Sequence, residues 1–87
     1  VTSNRESGFG RYDVILEPKT KNDDAIILEF KVQDTNDEKT LLDTVKAALD
    51  QIERKRYDVS LLEKGITETK IRKYGFAFHG KQVLIGR

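Results

Sequence analysis

The sequence predicts an α+β fold in which a mixed sheet packs against a helix. Three short segments with strand character open the chain, an amphipathic helical pattern follows, and two further strand-like segments close it. Polar connections between the first three strands indicate an antiparallel meander. The helix then crosses over to a strand that lies parallel to the sheet. The predicted order is therefore a β-meander, a helix crossover and a β-hairpin.

Alternation and composition predict the first three strands. Residues 1–5 are polar and compatible with a strand, and residues 7–10 are typical of a turn. Residues 11–17 alternate between polar and apolar side chains until Pro18 ends the strand. Residues 25–32, with the sequence AIILEFKV, are rich in β-branched and aromatic side chains and predict the third strand.

Helical spacing of apolar residues predicts a helix from about residue 38 to residue 55, with Asn36 or Asp37 as its N-cap. A second, short helix is predicted over residues 58–64 and is closed by Gly65. The apolar side of the longer helix is expected to pack on the sheet. This side consists of Leu42, Val45, Leu49 and Ile52.

The last part of the chain predicts a strand over residues 71–78, a turn at 79–81 and a strand over 82–85. Three aromatic side chains share one face of the first of these strands. We expect them in the hydrophobic core rather than in a platform that stacks bases. They are Tyr74, Phe76 and Phe78.

Composition excludes several classes of protein. A chain of 87 residues predicts a single domain. The absence of cysteine excludes a disulfide scaffold and a thiolate zinc site, and a single histidine, His79, excludes a multi-histidine metal site. No apolar run approaches the roughly 20 residues of a membrane helix, so we expect a soluble, cytoplasmic protein. We interpret the sequence, which lacks methionine, as a fragment of a longer chain.

The formal net charge of +1 is distributed unevenly. Residues 22–50 carry three basic and eight acidic side chains, whereas residues 70–87 carry five basic side chains and no acidic one. Charge runs usually form ordinary solvated faces. The alternative is that the basic C-terminal segment forms a surface that holds the phosphates of a nucleic acid backbone.

The predicted pairing of the second and third strands brings two acidic residues together. The loop between them, residues 18–24, is centred on Lys21, and symmetric pairing about that centre places Asp13 opposite Glu29. Lys31 shares the face of Glu29 because side chains alternate along a strand. Like charges directly opposite one another are destabilising, so this pair is an unexpected choice for structure alone.

Two interpretations of the acid pair are open. In the first, the acids have no functional role: either the register of the hairpin is slipped, or Lys31 and Arg11 neutralise the acids in a solvated patch. Alternatively, Asp13 and Glu29 form a cation site, because a hard ion such as Mg²⁺ prefers oxygen ligands. A lysine beside such an ion can position its water or stabilise charge on a phosphate.

The same residues resemble the signature of a known family. Asp13, followed after a loop by Glu29, Phe30 and Lys31 in an apolar strand, resembles the motif of the PD-(D/E)XK nuclease superfamily. Four longer segments resemble the C-terminal nuclease-like domain of bacterial proteins that carry an AAA-type ATPase-like domain upstream, so the resemblance covers nearly the whole chain. These segments are residues 10–16, 27–31, 47–52 and 74–78.

The resemblance implies a restriction-endonuclease-like core, with the usual first helix missing, and a nuclease that hydrolyses phosphodiester bonds of nucleic acid, with DNA as the expected substrate. It implies that Asp13, Glu29 and the backbone carbonyl of Phe30 bind Mg²⁺ or Mn²⁺. It also implies that Lys31 is the catalytic lysine. Gln51 matches the helix glutamine of the superfamily and is either an accessory site residue or an ordinary surface residue.

The resemblance also implies partners. An upstream ATPase-like domain is expected in the parent chain. Because the missing helix leaves one sheet face incompletely covered, a homo-oligomer is expected.

The alternative function is a non-catalytic DNA-binding or protein-interaction module of a larger ATPase-like protein, because a fold does not guarantee an activity. A structural fragment whose polar sheet face binds nothing is the third interpretation.

Overall fold

Residues 2–6, 11–20 and 22–87 are described by the structure, a computed structural model of the chain. The predicted turn at residues 7–10 and the loop centre Lys21 lie outside the described residues. Five strands, two α-helices and a short 3₁₀ turn are present in the described part. They are β1 (Thr2–Glu6), β2 (Arg11–Leu16), β3 (Ala25–Val32), α1 (Leu41–Lys55), α2 (Val59–Glu63), the 3₁₀ turn (Glu68–Lys70), β4 (Ile71–His79) and β5 (Gln82–Gly86).

The strands form one mixed sheet in the order β1-β2-β3-β4-β5. β3 and β4 pair parallel, and the other neighbouring pairs are antiparallel. The parallel pair follows from the crossover through α1, because a return through a helix brings the next strand back in the same direction. The predicted α+β fold is therefore confirmed. Within the described ranges, no helix has the length and apolar character that a membrane span requires.

A capping box sets the start of α1. The Thr40 hydroxyl accepts a hydrogen bond from the Asp43 N–H at 3.2 Å, and the Asp43 carboxylate accepts one from the Thr40 N–H at 3.3 Å. Together these two bonds satisfy backbone donors that a helix start leaves without partners. The predicted N-cap at Asn36 or Asp37 is wrong because this reciprocal pair lies further along the chain.

The hydrophobic core lies between the sheet and the helices. Val45 and Ile52 of α1 are buried as predicted, and Leu49 is partly buried against the core. Leu42 is 52% exposed, so its predicted place against the sheet is wrong. The helix is rotated so that its buried side follows a neighbouring row of residues. That row consists of Thr44, Val45, Ala48, Gln51 and Ile52.

The aromatic residues lie on the face of the sheet that is turned away from α1. In β3 the odd-numbered residues are buried, whereas Phe30 and the other even-numbered residues are partly or fully exposed. The ring of Phe30 lies 4.8 Å from that of Phe76 and 6.1 Å from that of Phe78, measured between centroids. The predicted burial of Tyr74, Phe76 and Phe78 in the core is wrong, because the alternation of side chains along β4 places them on the face of the sheet that α1 does not cover.

Small residues allow α1 to approach the sheet closely. Gly75 pairs with Glu29 in the parallel ladder. A Cβ atom at Gly75 would lie 3.0 Å from the Val45 carbonyl oxygen and 3.2 Å from the Ala48 Cβ. A larger residue would push the helix away, so this glycine brings α1 down beside the acidic pair.

Candidate active site

Asp13 and Glu29 are direct partners in the register of β2 and β3, as predicted. Both are fully buried, at 0% exposure. Residues directly opposite one another in an antiparallel pair have Cβ atoms about 4.5–5.5 Å apart, so the two carboxyl groups share one small region. The register is not slipped, and the interpretation of the acids as a solvated surface patch is wrong.

Lys31 lies on the same face and is also buried, at 5% exposure. Its ammonium group contacts a carboxylate that the sequence did not single out, that of Glu38, with 2.6 Å between Lys31 Nζ and Glu38 Oε2. Glu38 lies in the connection between β3 and α1, which also contains Asp34 and Asp37. Nothing in the sequence distinguishes it from these neighbours, because its partner is set by the packing of α1.

The Glu38 carboxylate accepts two further hydrogen bonds. Its Oε1 atom lies 2.8 Å from the Asp34 backbone nitrogen and 3.0 Å from the Thr44 hydroxyl oxygen. Burial raises the pKa of Glu38, but the hydrogen bonds from Lys31, Asp34 and Thr44 outweigh it and hold the pKa below its ordinary value. Glu38 is therefore a buried, ionised partner for the lysine.

Arg11 and Gln51 form a second link between the sheet and α1. Arg11 is the register partner of Lys31 and therefore shares its face. The Arg11 Nη1 atom donates a hydrogen bond to Gln51 Oε1 at 3.0 Å. Gln51 is 5% exposed and belongs to the buried side of α1. It is not an ordinary surface residue, and it orients an arginine close to the acid pair.

The sequence that forms this arrangement also matches a known protein family. A family model described as the PD-(D/E)XK nuclease superfamily matches residues 1–87. The chain belongs to the PD-(D/E)XK nuclease superfamily. No curated protein and no solved structure matches the sequence.

PD-(D/E)XK nucleases generally use divalent metal ions, and the donor chemistry of Asp13 and Glu29 fits such an ion. Mg²⁺ is commonly bound through one or two carboxylates while it keeps several waters. Among residues 11–20 and 22–87, no group of three or more His, Cys, Asp and Glu side chains is placed to hold a metal ion. The fit therefore concerns two carboxylates, and any further oxygen ligand would have to come from a backbone carbonyl or from water.

Phe30 is the predicted source of that backbone oxygen. It lies between Glu29 and Lys31 in β3, where it pairs with Tyr12 on one side and Phe76 on the other. Its side chain points away from the helix-covered face, so only the main chain of this residue belongs to the site region. A carbonyl oxygen has two lone pairs and can accept a second interaction beyond its ladder bond.

Two basic residues of the C-terminal segment are paired with acidic side chains. Arg72 donates to Asp24 at 3.1 Å and Lys73 donates to Glu53 at 2.8 Å, so two of these charges are already neutralised by acids. Lys70 precedes β4, whereas Lys81 lies in the turn after it. Two of the five basic side chains of residues 70–87 therefore have acidic partners, and a phosphate-holding role for this segment stays a prediction.

A cavity of about 300 Å³ opens where the parallel strands β3 and β4 end and α1 begins. Its lining is mainly polar and includes Glu38, His79 and Gln82. Glu38 therefore both lines this cavity and contacts Lys31, the predicted catalytic lysine.

Proposed function

We propose that this chain is a metal-dependent nuclease domain that hydrolyses phosphodiester bonds of nucleic acid, with DNA as the substrate. One observation carries the proposal: Asp13 and Glu29 face each other across β2 and β3, and Lys31 lies further along the same face. Metal-dependent hydrolysis of a phosphodiester needs oxygen ligands for a divalent ion and positive charge near the phosphate. Membership of the PD-(D/E)XK superfamily supports the same function.

In this proposal Asp13, Glu29 and the backbone carbonyl of Phe30 hold Mg²⁺ or Mn²⁺. A bound ion of this kind polarises a phosphoryl oxygen and lowers the pKa of water. Lys31 is the proposed catalytic residue. Its ammonium group donates hydrogen bonds to phosphate oxygens, which gain negative charge as a water oxygen attacks phosphorus and the P–O bond to the leaving group breaks. The dry surroundings of Lys31 strengthen this stabilisation.

Arg11 and Gln51 are the proposed accessory residues. Arg11 is half-buried, and Gln51 accepts one of its hydrogen bonds. A guanidinium group has five N–H donors, so the others remain available for phosphate oxygens. We place Arg11 at the entrance of the site and Gln51 as the residue that orients it.

The proposal includes the wider setting of the domain. Residues 1–87 form one nuclease-like domain in the cytoplasm, with an ATPase-like domain upstream in the parent chain. The aromatic face opposite α1 supports association with a second copy. Several large apolar side chains are exposed there, and such patches mark interaction surfaces. Examples are Tyr12, Val32, Val83 and Ile85.

One observation favours the alternative, a non-catalytic DNA-binding or protein-interaction module. Neither Asp13 nor Glu29 is exposed to solvent in this structure. A phosphodiester cannot contact these carboxylates unless the surroundings open. If the domain stays closed in the presence of metal and DNA, the pair serves as a buried structural element and the binding function takes its place.

The test is a cleavage assay with the full-length protein, Mg²⁺ or Mn²⁺, and both single- and double-stranded DNA. Asp13→Ala and Glu29→Ala are expected to lose metal binding and cleavage, whereas Lys31→Met is expected to bind metal but cleave poorly. Lys64→Met is the matched control, because Lys64 is an exposed lysine that pairs with Glu17, outside the proposed site. Absence of cleavage by the wild type, or equal cleavage by all variants, contradicts the proposal.

A further inference from the structure

The Lys31 ammonium group is buried, and the aliphatic part of the side chain does not by itself fix its position. A lysine side chain is a flexible four-carbon chain with a point charge at its end, so its position depends on what holds the charge. Here the side chain is 6% exposed and Nζ lies 2.6 Å from Glu38 Oε2. One of the three ammonium protons is directed to Glu38, which leaves two for other acceptors.

Glu38 is itself held from several directions. Asp34 and Thr44 each donate a hydrogen bond to its Oε1 atom. Its backbone N–H donates to the Asp34 carbonyl oxygen at 2.7 Å, and its own carbonyl oxygen accepts from Gln33 Nε2 at 2.7 Å. Both carboxylate oxygens and both backbone groups of Glu38 are therefore engaged, so the carboxylate is a rigid anchor for the lysine.

Two other Lys–Glu pairs in the chain show how different this one is. Lys73 Nζ lies 2.8 Å from Glu53; the Lys73 side chain is 22% exposed and that of Glu53 is 61% exposed. The Lys64 side chain is 55% exposed in its pair with Glu17. Exposed pairs of this kind contribute little and hold no fixed geometry. By contrast, burial of a pair is costly unless its geometry and remaining hydrogen bonds are good, as they are for Glu38.

We propose that Glu38 is a positioning residue for phosphodiester hydrolysis: it holds the Lys31 ammonium group in one place so that its remaining protons face the substrate phosphate. This inference rests on the proposed function. Glu38 acts only through Lys31, since the structure gives it contacts to Lys31, Thr44 and the β3–α1 connection. Its removal should therefore change the catalytic step and leave binding of the metal unaffected.

The first test compares Glu38→Gln with the wild-type full-length protein. Glutamine keeps the shape and an acceptor oxygen for Thr44 but loses the charge that fixes the ammonium group. We expect kcat to fall about 10- to 100-fold, as for a small misplacement of a catalytic group, while KM and Mg²⁺ affinity are unchanged. Glu53→Gln, which makes the same change in an exposed pair, is the control and should keep wild-type kcat.

A double-mutant cycle separates positioning from a structural effect. In a Lys31→Met background, Glu38→Gln should cause no further loss of kcat, because residues that act as a unit are not additive. Equal losses in both backgrounds overturn the proposal. If Glu38→Gln fails to fold, Thr44→Val serves instead. It removes one bond to Glu38, keeps the ion pair, and should lower kcat severalfold only when Lys31 is present.

A measurement without substrate distinguishes failure of this inference from failure of the proposed function. NMR relaxation of the Lys31 side chain should show restricted motion in the wild type and a clearly lower order parameter in Glu38→Gln. An unchanged order parameter, or wild-type kcat in Glu38→Gln while the parent cleaves DNA, overturns the positioning role alone. The wild type could instead show a rigid Lys31 side chain and cleave no DNA. In that case Glu38 still anchors Lys31, and the nuclease function on which the positioning role depends is overturned.

Discussion

Asp13 and Glu29 are register partners on neighbouring strands, and both carboxyl groups are fully buried on the face that α1 covers. Two buried acids on one face are unfavourable unless positive charge offsets them. In this chain the cationic side chains of Arg11 and Lys31 form the next register pair on the same face of these strands. This face of the sheet therefore carries an acidic pair followed by a basic pair.

Divalent metal should stabilise the folded protein through this pair. A ligand that binds only the folded state at 100 times its dissociation constant adds about 2.7 kcal/mol to the free energy of unfolding. We expect Mg²⁺ or Mn²⁺ to raise the Tm of the wild type and to leave that of Asp13→Ala unchanged. Asp24→Ala, which removes an exposed acid, is the control and should respond as the wild type does. Thermal unfolding with metal and with a chelator measures this, and an equal response of Asp13→Ala would show that the ion binds elsewhere.

Acid should destabilise the wild type partly through Glu38. Its pKa in the folded state lies below its ordinary value of 4.5, so its contribution is present above that value and is lost as the pH falls through the folded pKa. Glu38→Gln has no such group. The free energy of unfolding of this variant should therefore fall less steeply than that of the wild type between about pH 5 and 3. Urea unfolding at several pH values measures the slopes. Identical slopes for Glu38→Gln and the wild type would contradict the assignment.

Gly75→Ala should push α1 away from the sheet. The added Cβ would lie 3.0 Å from the backbone oxygen of Val45, which cannot rotate away. We expect a loss of about 1–3 kcal/mol in the free energy of unfolding, as is usual for overpacking. Gly80→Asn is the comparison, because a Cβ there meets nothing within 4 Å and asparagine tolerates the positive φ of 59°. Denaturant unfolding of both variants measures the free energy of unfolding. Equal stability of Gly75→Ala and the wild type would contradict the close approach of α1 to the sheet.

Gln51→Ala should loosen Arg11 without affecting the metal ligands. The variant removes the acceptor that lies 3.0 Å from Arg11 Nη1. Loss of one hydrogen bond of this kind lowers the free energy of unfolding by about 0.5–1.5 kcal/mol. In the cleavage assay we expect a higher KM for DNA and an unchanged Mg²⁺ affinity. Gln82→Ala, at an exposed position of β5, should match the wild type in stability. A loss of metal binding in Gln51→Ala would place Gln51 among the metal ligands instead.

Local patterns were sufficient to predict the pairing of the acids. The β2–β3 hairpin is a local structure, so its register follows from the length of the loop and the alternation of the two strands. The same parity rule places Lys31 beside Glu29. The start of α1 was not predictable in this way, because several polar residues before it are acceptable caps and only the reciprocal bonds of Thr40 and Asp43 select one.

Burial was less predictable than pairing. The aromatic residues of β4 were expected in the core on hydrophobicity alone, yet they lie on the face away from α1. Hydrophobicity does not state which face of a sheet a helix covers. Shape decides it here: Gly75 and Ala77 leave room for α1 on one face, whereas Phe76 and Phe78 fill the other.

The sequence by itself determined the order of the elements, the register of β2 with β3, and the shared face of Asp13, Glu29 and Lys31, because each depends on residues close together along the chain. Only the tertiary structure decided that this face is the buried one and that Glu38 is the partner of Lys31. Both depend on where α1 packs, and the position of α1 is set by contacts between residues far apart in sequence, such as Val45 with Gly75.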